Sequence, residues 1–272
     1  MLTRASEPMI SRRGLFAGAF AAAACFSPAI AAPSSPWLSY EARLRARLSD
    51  AGGGAFDARF ANDLLGQANA FRRSQGLATL QWDEGLATCA RAHAADMAAR
   101  HYFAHNTPEG FTPSDRASLL VRDTCALVTE NLAWRDYPVQ GSNPRDFETL
   151  WENSPGHRRN LLLPEANVAG YGVVKLGSAY YAAGVYAESV IKLSQAVPLR
   201  LGAGANLAPA LAGASPQIQR LALTRPGEEP ARLAPPLNRP PVLQAGLWQL
   251  RPMQAAGGDL YNVLTGPVVL VA

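Results

Sequence analysis

Two histidines and a glutamate, each set in a short island near a turn, constrain this 272-residue chain more than any other feature. Residues 102–110 (Tyr-Phe-Ala-His-Asn-Thr-Pro-Glu-Gly) carry His105, and residues 130–133 (Glu-Asn-Leu-Ala) begin with Glu130. Residues 151–162 (Trp-Glu-Asn-Ser-Pro-Gly-His-Arg-Arg-Asn-Leu-Leu) carry His157. The three side chains lie 25 and 27 residues apart, so only a tertiary fold can bring them together. Imidazole and carboxylate in one place can hold a divalent metal or move a proton.

The segments around these islands read as helices followed by a hairpin. Residues 36–50 place Leu38, Leu44 and Leu48 among arginines, an amphipathic helix ended by Gly52, Gly53 and Gly54. Asp57 caps a second helix running to Ser74, with Phe60, Leu64, Ala68 and Phe71 on one face. Asp83 caps a third over residues 84–100, with Leu86, Ala90, Ala94 and Met97 as its stripe. Another runs from Pro144 to Asn153, capped by Asn143, and Pro155 stops it at Ser154. Residues 170–175 and 179–187, rich in aromatic and β-branched residues, flank a turn at 176–178. Helices preceding a hairpin suggest an α+β class with helices on an antiparallel sheet.

In order and spacing, the islands resemble the CAP/SCP family of cysteine-rich secretory, antigen 5 and pathogenesis-related 1 proteins. The resemblance covers roughly residues 60–190. Asn69, Arg72, Gly76, Leu80, Trp82 and Asp83 match in the first half. His93, Asp96 and Met97, then Pro113, Asp115 and Arg116, then Gly170, Gly172 and Val173 match after them. It implies a three-layer α-β-α sandwich with a central cleft floored by His105 and His157, which can share a divalent metal, usually zinc. Glu130 lies beside them in that picture. The family's animal members carry a second glutamate three residues after the helix tryptophan. Here that position is Ser154, so the carboxylate pair is incomplete unless Glu148 or Glu152 turns inward. Two histidines and one acid make a poor structural zinc site, and water would fill the remaining positions.

Around the cleft, Asn131 is expected to fix loop backbone, and Arg116 and Arg158 to pair with acids that hold the loops. Ser154 and His157 sit three residues apart across a Pro-Gly turn, with no Gly-x-Ser-x-Gly elbow. Ser154 is therefore read as bonding local backbone. Two functions follow. One is an exported binding or interaction module for a small ligand, lipid, wall fragment or peptide. The alternative is a metal-assisted hydrolase in which Glu130, the candidate catalytic residue, polarises a metal-bound water. The first is preferred, since the chain has no His-Glu-x-x-His pattern.

Residues 1–31 read as an export signal that places the protein in the periplasm or outside the cell. Arg12-Arg13 precede an apolar run to Phe26, and Ala29-Ile30-Ala31 is a small-x-small cleavage site. The arginine pair suggests the twin-arginine route; an ordinary secretory signal is the alternative. The apolar run is too short for a membrane span, which needs about 20 residues. Cys25, inside the signal, follows a poor lipoprotein box. Cys89 and Cys125 then remain as a pair in an oxidising compartment, where a disulfide is favoured over two buried thiols. Net charge is +4, without basic runs or basic-aromatic interleaving, which argues against nucleic acid. Four segments result: the signal at 1–31, an N-terminal helix and linker at 32–55, the main domain at 56–192, and an extension at 193–272. In the extension, prolines between 207 and 241 suggest a linker. Strand-like pieces at 217–224, 242–250 and 261–271 suggest a small β structure after it.

Overall fold

Local capping chemistry starts most of the helices. In the computed structural model, residues 35–136, 143–202, 204–239, 241–258 and 260–272 are described. The expected export signal at residues 1–31 lies outside them. Helix α1 (Pro36–Asp50) starts with a proline in its first turn. Asp57 accepts from Phe60 N at 2.9 Å to open α2 (Ala58–Ser74). Asp83 accepts from Leu86 N at 2.9 Å to open α3 (Glu84–Arg100). Thr112 and Asp115 form a reciprocal capping box at α4 (Pro113–Leu120). Asn143 caps α5 (Pro144–Asn153). Pro155 ends that helix, and as the first residue of a new one it starts α6 (Pro155–Leu161) at once.

Five strands form the central sheet. β4 (Val168–Leu176) and β5 (Ala179–Lys192) make the expected hairpin, and β3 (Thr124–Asp136) pairs antiparallel with β5. Short β1 (Ala55–Phe56) and β2 (Gln81–Trp82) both add to β4, β2 in parallel. Strand alternation gives the sheet two apolar faces. On one, Ala169, Tyr171, Val173, Ala182 and Tyr186 pack against Phe60, Leu64, Phe147, Trp151 and Leu161 of α2, α5 and α6. On the other, Val174, Ala183, Val185 and Ala187 pack against Leu86, Cys89, Ala90 and Ala94 of α3 and Ala117 of α4. Helices on both faces of one sheet are the three-layer α-β-α sandwich.

The alanine-rich face of α3 comes close to the sheet because glycine faces it. A Cβ at Gly170 would sit 2.0 Å from Ala87 N, and one at Gly172 would sit 2.1 Å from Arg91 N. Only residues without a side chain permit that approach.

The extension packs as part of the same unit, which runs from Ser35 to Ala272. β6 (Arg200–Leu201), α7 (Ala208–Ala212) and β7 (Arg220–Thr224) lie within or beside the stretch expected to be linker. β8 (Gly246–Gly257), β9 (Leu260–Val263) and β10 (Val268–Val271) complete a second sheet ordered β6-β10-β8-β7, with β9 on β8. Its core takes in Ile191 and Leu193 from the end of β5 together with Leu211, Leu221, Leu250 and Val269.

The expected disulfide does not form; both cysteines are free and buried. Alternation along β3 explains why. Ala126 and Val128 face the α3 layer where Cys89 lies, whereas Cys125 and Leu127 face the core of the extension. The two thiols point into different cores. Burial pushes each up to about 12, so neither forms thiolate readily. Among the described residues no helix is long and apolar enough to cross a membrane.

Candidate functional site

Adjacent residues of β3 serve opposite faces of the sheet and so join the site to both helical layers. Glu130 points toward α3 and α4 and is almost fully enclosed, with 1% of its side chain exposed. Arg116 of α4 is equally enclosed; its Nη2 donates to Glu130 Oε1 at 2.6 Å and its Nη1 to His105 O at 3.1 Å. The other carboxylate oxygen, Oε2, lies 3.0 Å from His105 Nδ1. Burial raises the Glu130 pKa, but Arg116, His93 and the bond to His105 outweigh it and hold the group at about 2. An ionised carboxylate only accepts, so His105 Nδ1–H donates to it, and in the neutral tautomer of that ring the lone pair is on Nε2. The His105 side chain is 49% exposed, so the ring reaches solvent.

Asn131, one residue on, turns to the opposite layer. Its Nδ2 donates to His157 O at 3.1 Å, and Asn160 Nδ2 donates to Asn131 Oδ1 at 2.9 Å and to Glu130 O at 3.0 Å. α6 is thereby pinned to β3, and His157 on it faces His105 with ring centroids 6.3 Å apart, tilted by 58°. Burial, then the neighbouring His105, lower the His157 pKa, which favours the neutral ring. His105, Glu130 and His157 therefore gather at one place, with Glu130 bonded to the first imidazole and no bond from it to the second.

Other residues expected at the cleft are placed differently. Arg158 turns outward: it stacks over Phe71 at 4.7 Å and donates to Gln75, pairing with no acid. Ser154 sits at the junction of α5 and α6, where its carbonyl accepts from Arg158 N at 2.8 Å; its hydroxyl makes no cap. Of the two acids considered for completing the pair, Glu152 binds Arg145 on the surface. Glu148 does turn inward and is fully buried, yet neither carboxyl oxygen has a hydrogen-bond partner among the described residues. Burial, then Glu152, push it up to about 8.

One residue of the site was not singled out as functional. His93 of α3 lies beneath the cleft, its Nε2 donating to Ala104 O at 2.9 Å and lying 3.8 Å from Glu130 Oε2. Burial, then Arg116, push it down to about 3, so it stays neutral. Its position on the apolar face of α3, one turn from Met97, was the available signal. Among the described residues no group of three or more His, Cys, Asp or Glu side chains is placed to hold a metal ion.

Fold and site together define an α-β-α sandwich domain with an imidazole pair, one ring oriented by Glu130, beside its edge strand β3. The domain is CAP-like: residues 65–187 match the sequence profile of CAP, the cysteine-rich secretory protein family. The Bacillus subtilis (strain 168) protein YkwD is 34% identical over 110 residues, covering 40% of each chain. The B. subtilis membrane protein YlbC is 36% identical over 110 residues, covering 40% of this chain and 30% of its own. This chain thus spans well under half the length of these curated relatives. Among solved structures, an extracellular SCP-domain protein of Bacillus anthracis str. Ames is 26% identical, with a TM-score of 0.42, covering 49% of this chain and 41% of that one. An outer surface protein of Borrelia burgdorferi is 20% identical, with the same TM-score of 0.42, covering 50% and 98%.

Proposed function

We propose that this chain is an exported CAP-domain module that binds a ligand at the His105–His157 pair without hydrolysing it. The observation that carries this reading is the enclosure of Glu130. Both its oxygens are engaged, by Arg116 and by His105, and its side chain is out of reach of solvent. A carboxylate so placed orients an imidazole, as outer-shell carboxylates do for metal-ligating histidines. It is not positioned to take a proton from a water in the open space, as the hydrolase alternative requires.

Zinc suits the pair in part. His105 Nε2 and a nitrogen of neutral His157 would supply two donors, and solvent the rest, which makes binding weak. Bound zinc would add a Lewis-acidic point for a carbonyl or anionic group of the ligand. A small molecule, lipid, wall fragment or peptide each fits that chemistry. Export is supported by the arginine pair at 12–13 and the Ala-Ile-Ala site at 29–31.

Metal analysis and Zn2+ titration of the mature protein test the site. Uptake is expected for the parent and lost in His105→Ala and in His157→Ala; a double variant that binds zinc as before ends the metal part. Turnover of peptide or wall substrates that disappears in Glu130→Gln would favour the hydrolase instead. For export, Arg12→Lys with Arg13→Lys is expected to block secretion by the twin-arginine route, and a mature chain retaining Met1 would overturn export altogether.

A further inference from the structure

Helix α1 lies outside the residues that match the CAP family, yet it reaches the floor of the site. Tyr40 is fully buried and stacks on Phe111, with ring centroids 4.1 Å apart and planes within 14°. Trp37 meets the same Phe111 ring edge-on at 5.2 Å. Arg43 lies 5.1 Å over the Tyr40 ring and donates to Glu109 at 3.0 Å, a carboxylate that Arg100 also binds. Phe111 and Glu109 belong to the loop that carries His105. That loop is closed on itself by Thr107 N donating to Phe111 O at 3.0 Å and Phe111 N donating to Thr107 Oγ1 at 3.2 Å.

The Tyr40 hydroxyl is buried, makes no hydrogen bond among the described residues, and lies within electrostatic reach of the Arg116–Glu130 ion pair. The phenol and the Arg116 guanidinium act on one another, and the same guanidinium binds both the Glu130 carboxylate and the His105 carbonyl. One buried side chain from α1 therefore stacks on the loop that bears His105 and lies within electrostatic reach of the arginine that orients its partner. A phenylalanine would fill the same space, so a fully buried hydroxyl with no hydrogen-bond partner among the described residues, on a ring stacked against the His105 loop, is more than core filling requires.

We infer that α1 is a working wall of the site, with Tyr40, supported by Arg43, acting as a positioning residue that sets where the His105 ring points. The inference rests on reading His105 and His157 as the binding pair. Tyr40 does not touch the ligand; it acts through Phe111 on the loop and through Arg116 on Glu130.

The test compares Tyr40→Phe, Tyr40→Ala and Arg43→Gln with Leu48→Ala, about two turns along the same helix. Two readouts are taken on folded full-length mature protein: Co2+ affinity with its visible spectrum, and the ring 15N signals of His105. Tyr40→Ala is expected to weaken Co2+ binding about tenfold or more, as loss of an outer-shell partner does, and to shift the His105 Nδ1 signal. Tyr40→Phe and Arg43→Gln should do so by less, and Leu48→Ala should lower the melting temperature while leaving both readouts alone. Unchanged His105 signals in every folded Tyr40 and Arg43 variant would overturn the inference, as would an equal effect from Leu48→Ala. Should Tyr40→Ala fail to fold, Tyr40→Phe and Arg43→Gln decide the matter. A parent protein that takes up no Co2+ defeats the metal reading, and the ring signals still decide the role of α1.

Discussion

Two buried carboxylates, Glu130 and Glu148, show how differently one residue type behaves when only one of them has a partner. Glu130 is held ionised by Arg116, and breaking such an enclosed pair leaves a bare charge. Arg116→Met is therefore expected to cost about 3–5 kcal/mol, measured by denaturant unfolding at neutral pH. Removing both charges, with Glu130→Leu added, should recover part of that loss, as a double-mutant cycle would show. Glu148 has no such partner, and its carboxyl stays protonated up to about 8 against an ordinary 4.5. The unfolded chain releases this proton near 4.5 and the folded chain only near 8. Its contribution to stability is thus fully present below 4.5 and is lost as pH rises through 8. Glu148→Gln, which keeps the neutral shape, is expected to be more stable than the parent by roughly 2–4 kcal/mol at pH 8. The gain should vanish below pH 4.5. A variant whose advantage is the same at pH 4 and pH 8 would rule out a titrating Glu148.

At the scale of elements, the close contact of α3 with the sheet hangs on glycine, and Gly172→Ala tests it. The added Cβ meets backbone at Arg91 N, which cannot swing aside as a side chain tip can. The loss expected is on the order of 1–3 kcal/mol or more; a melting temperature equal to the parent's would mean that α3 shifts freely. The helices around this contact were legible in the sequence because their caps are local: Asp57, Asp83 and Asn143 each announce a start within three residues. β3 was not legible as a strand. Both its faces are buried over residues 130–133, so apolar and polar residues do not alternate there. α6 was missed for a related reason: Pro155 reads as a stop, and only the packing of Leu161 and the Asn160 bonds reveal that it is also a start. At the site, the islands named His105, Glu130 and His157 from spacing and resemblance. The outward turn of Arg158 and the inward turn of Glu148 depend on which helix face meets the sheet, and no local signal carries that. Tyr40 lies 71 residues before Phe111, and nothing in either neighbourhood foretells that their rings stack.

Across the whole molecule, the extension and the CAP domain share apolar surface instead of being joined by a tether. Thr265 exchanges backbone bonds with Ala126 at 3.0 and 3.1 Å, and Arg122 donates to Val197 O and Val268 O. The start of β3 thus becomes part of the second core, with Cys125 inside it and the Gly266 backbone packed over its sulfur. This arrangement, more than any distance in sequence, separates Cys125 from Cys89 and replaces the anticipated bridge with two sealed thiols. Each is enclosed and shifted to about 12, so both should resist thiol reagents in native protein. Mature protein without the signal should release two thiols per chain on unfolding, with no reductant needed. The two should differ in how they become reachable. Cys89 lies in the central α3 layer and should react only with global unfolding, whereas Cys125 lies beneath the extension and should react whenever that part lifts away. Measured under EX2-like conditions with a small reagent, Cys125 labelling is expected to precede that of Cys89 as denaturant rises. Equal protection at both sulfurs would show that the extension and the CAP domain unfold as one cooperative unit. A mass consistent with a bridge in exported protein would overturn the two-core account of the pair.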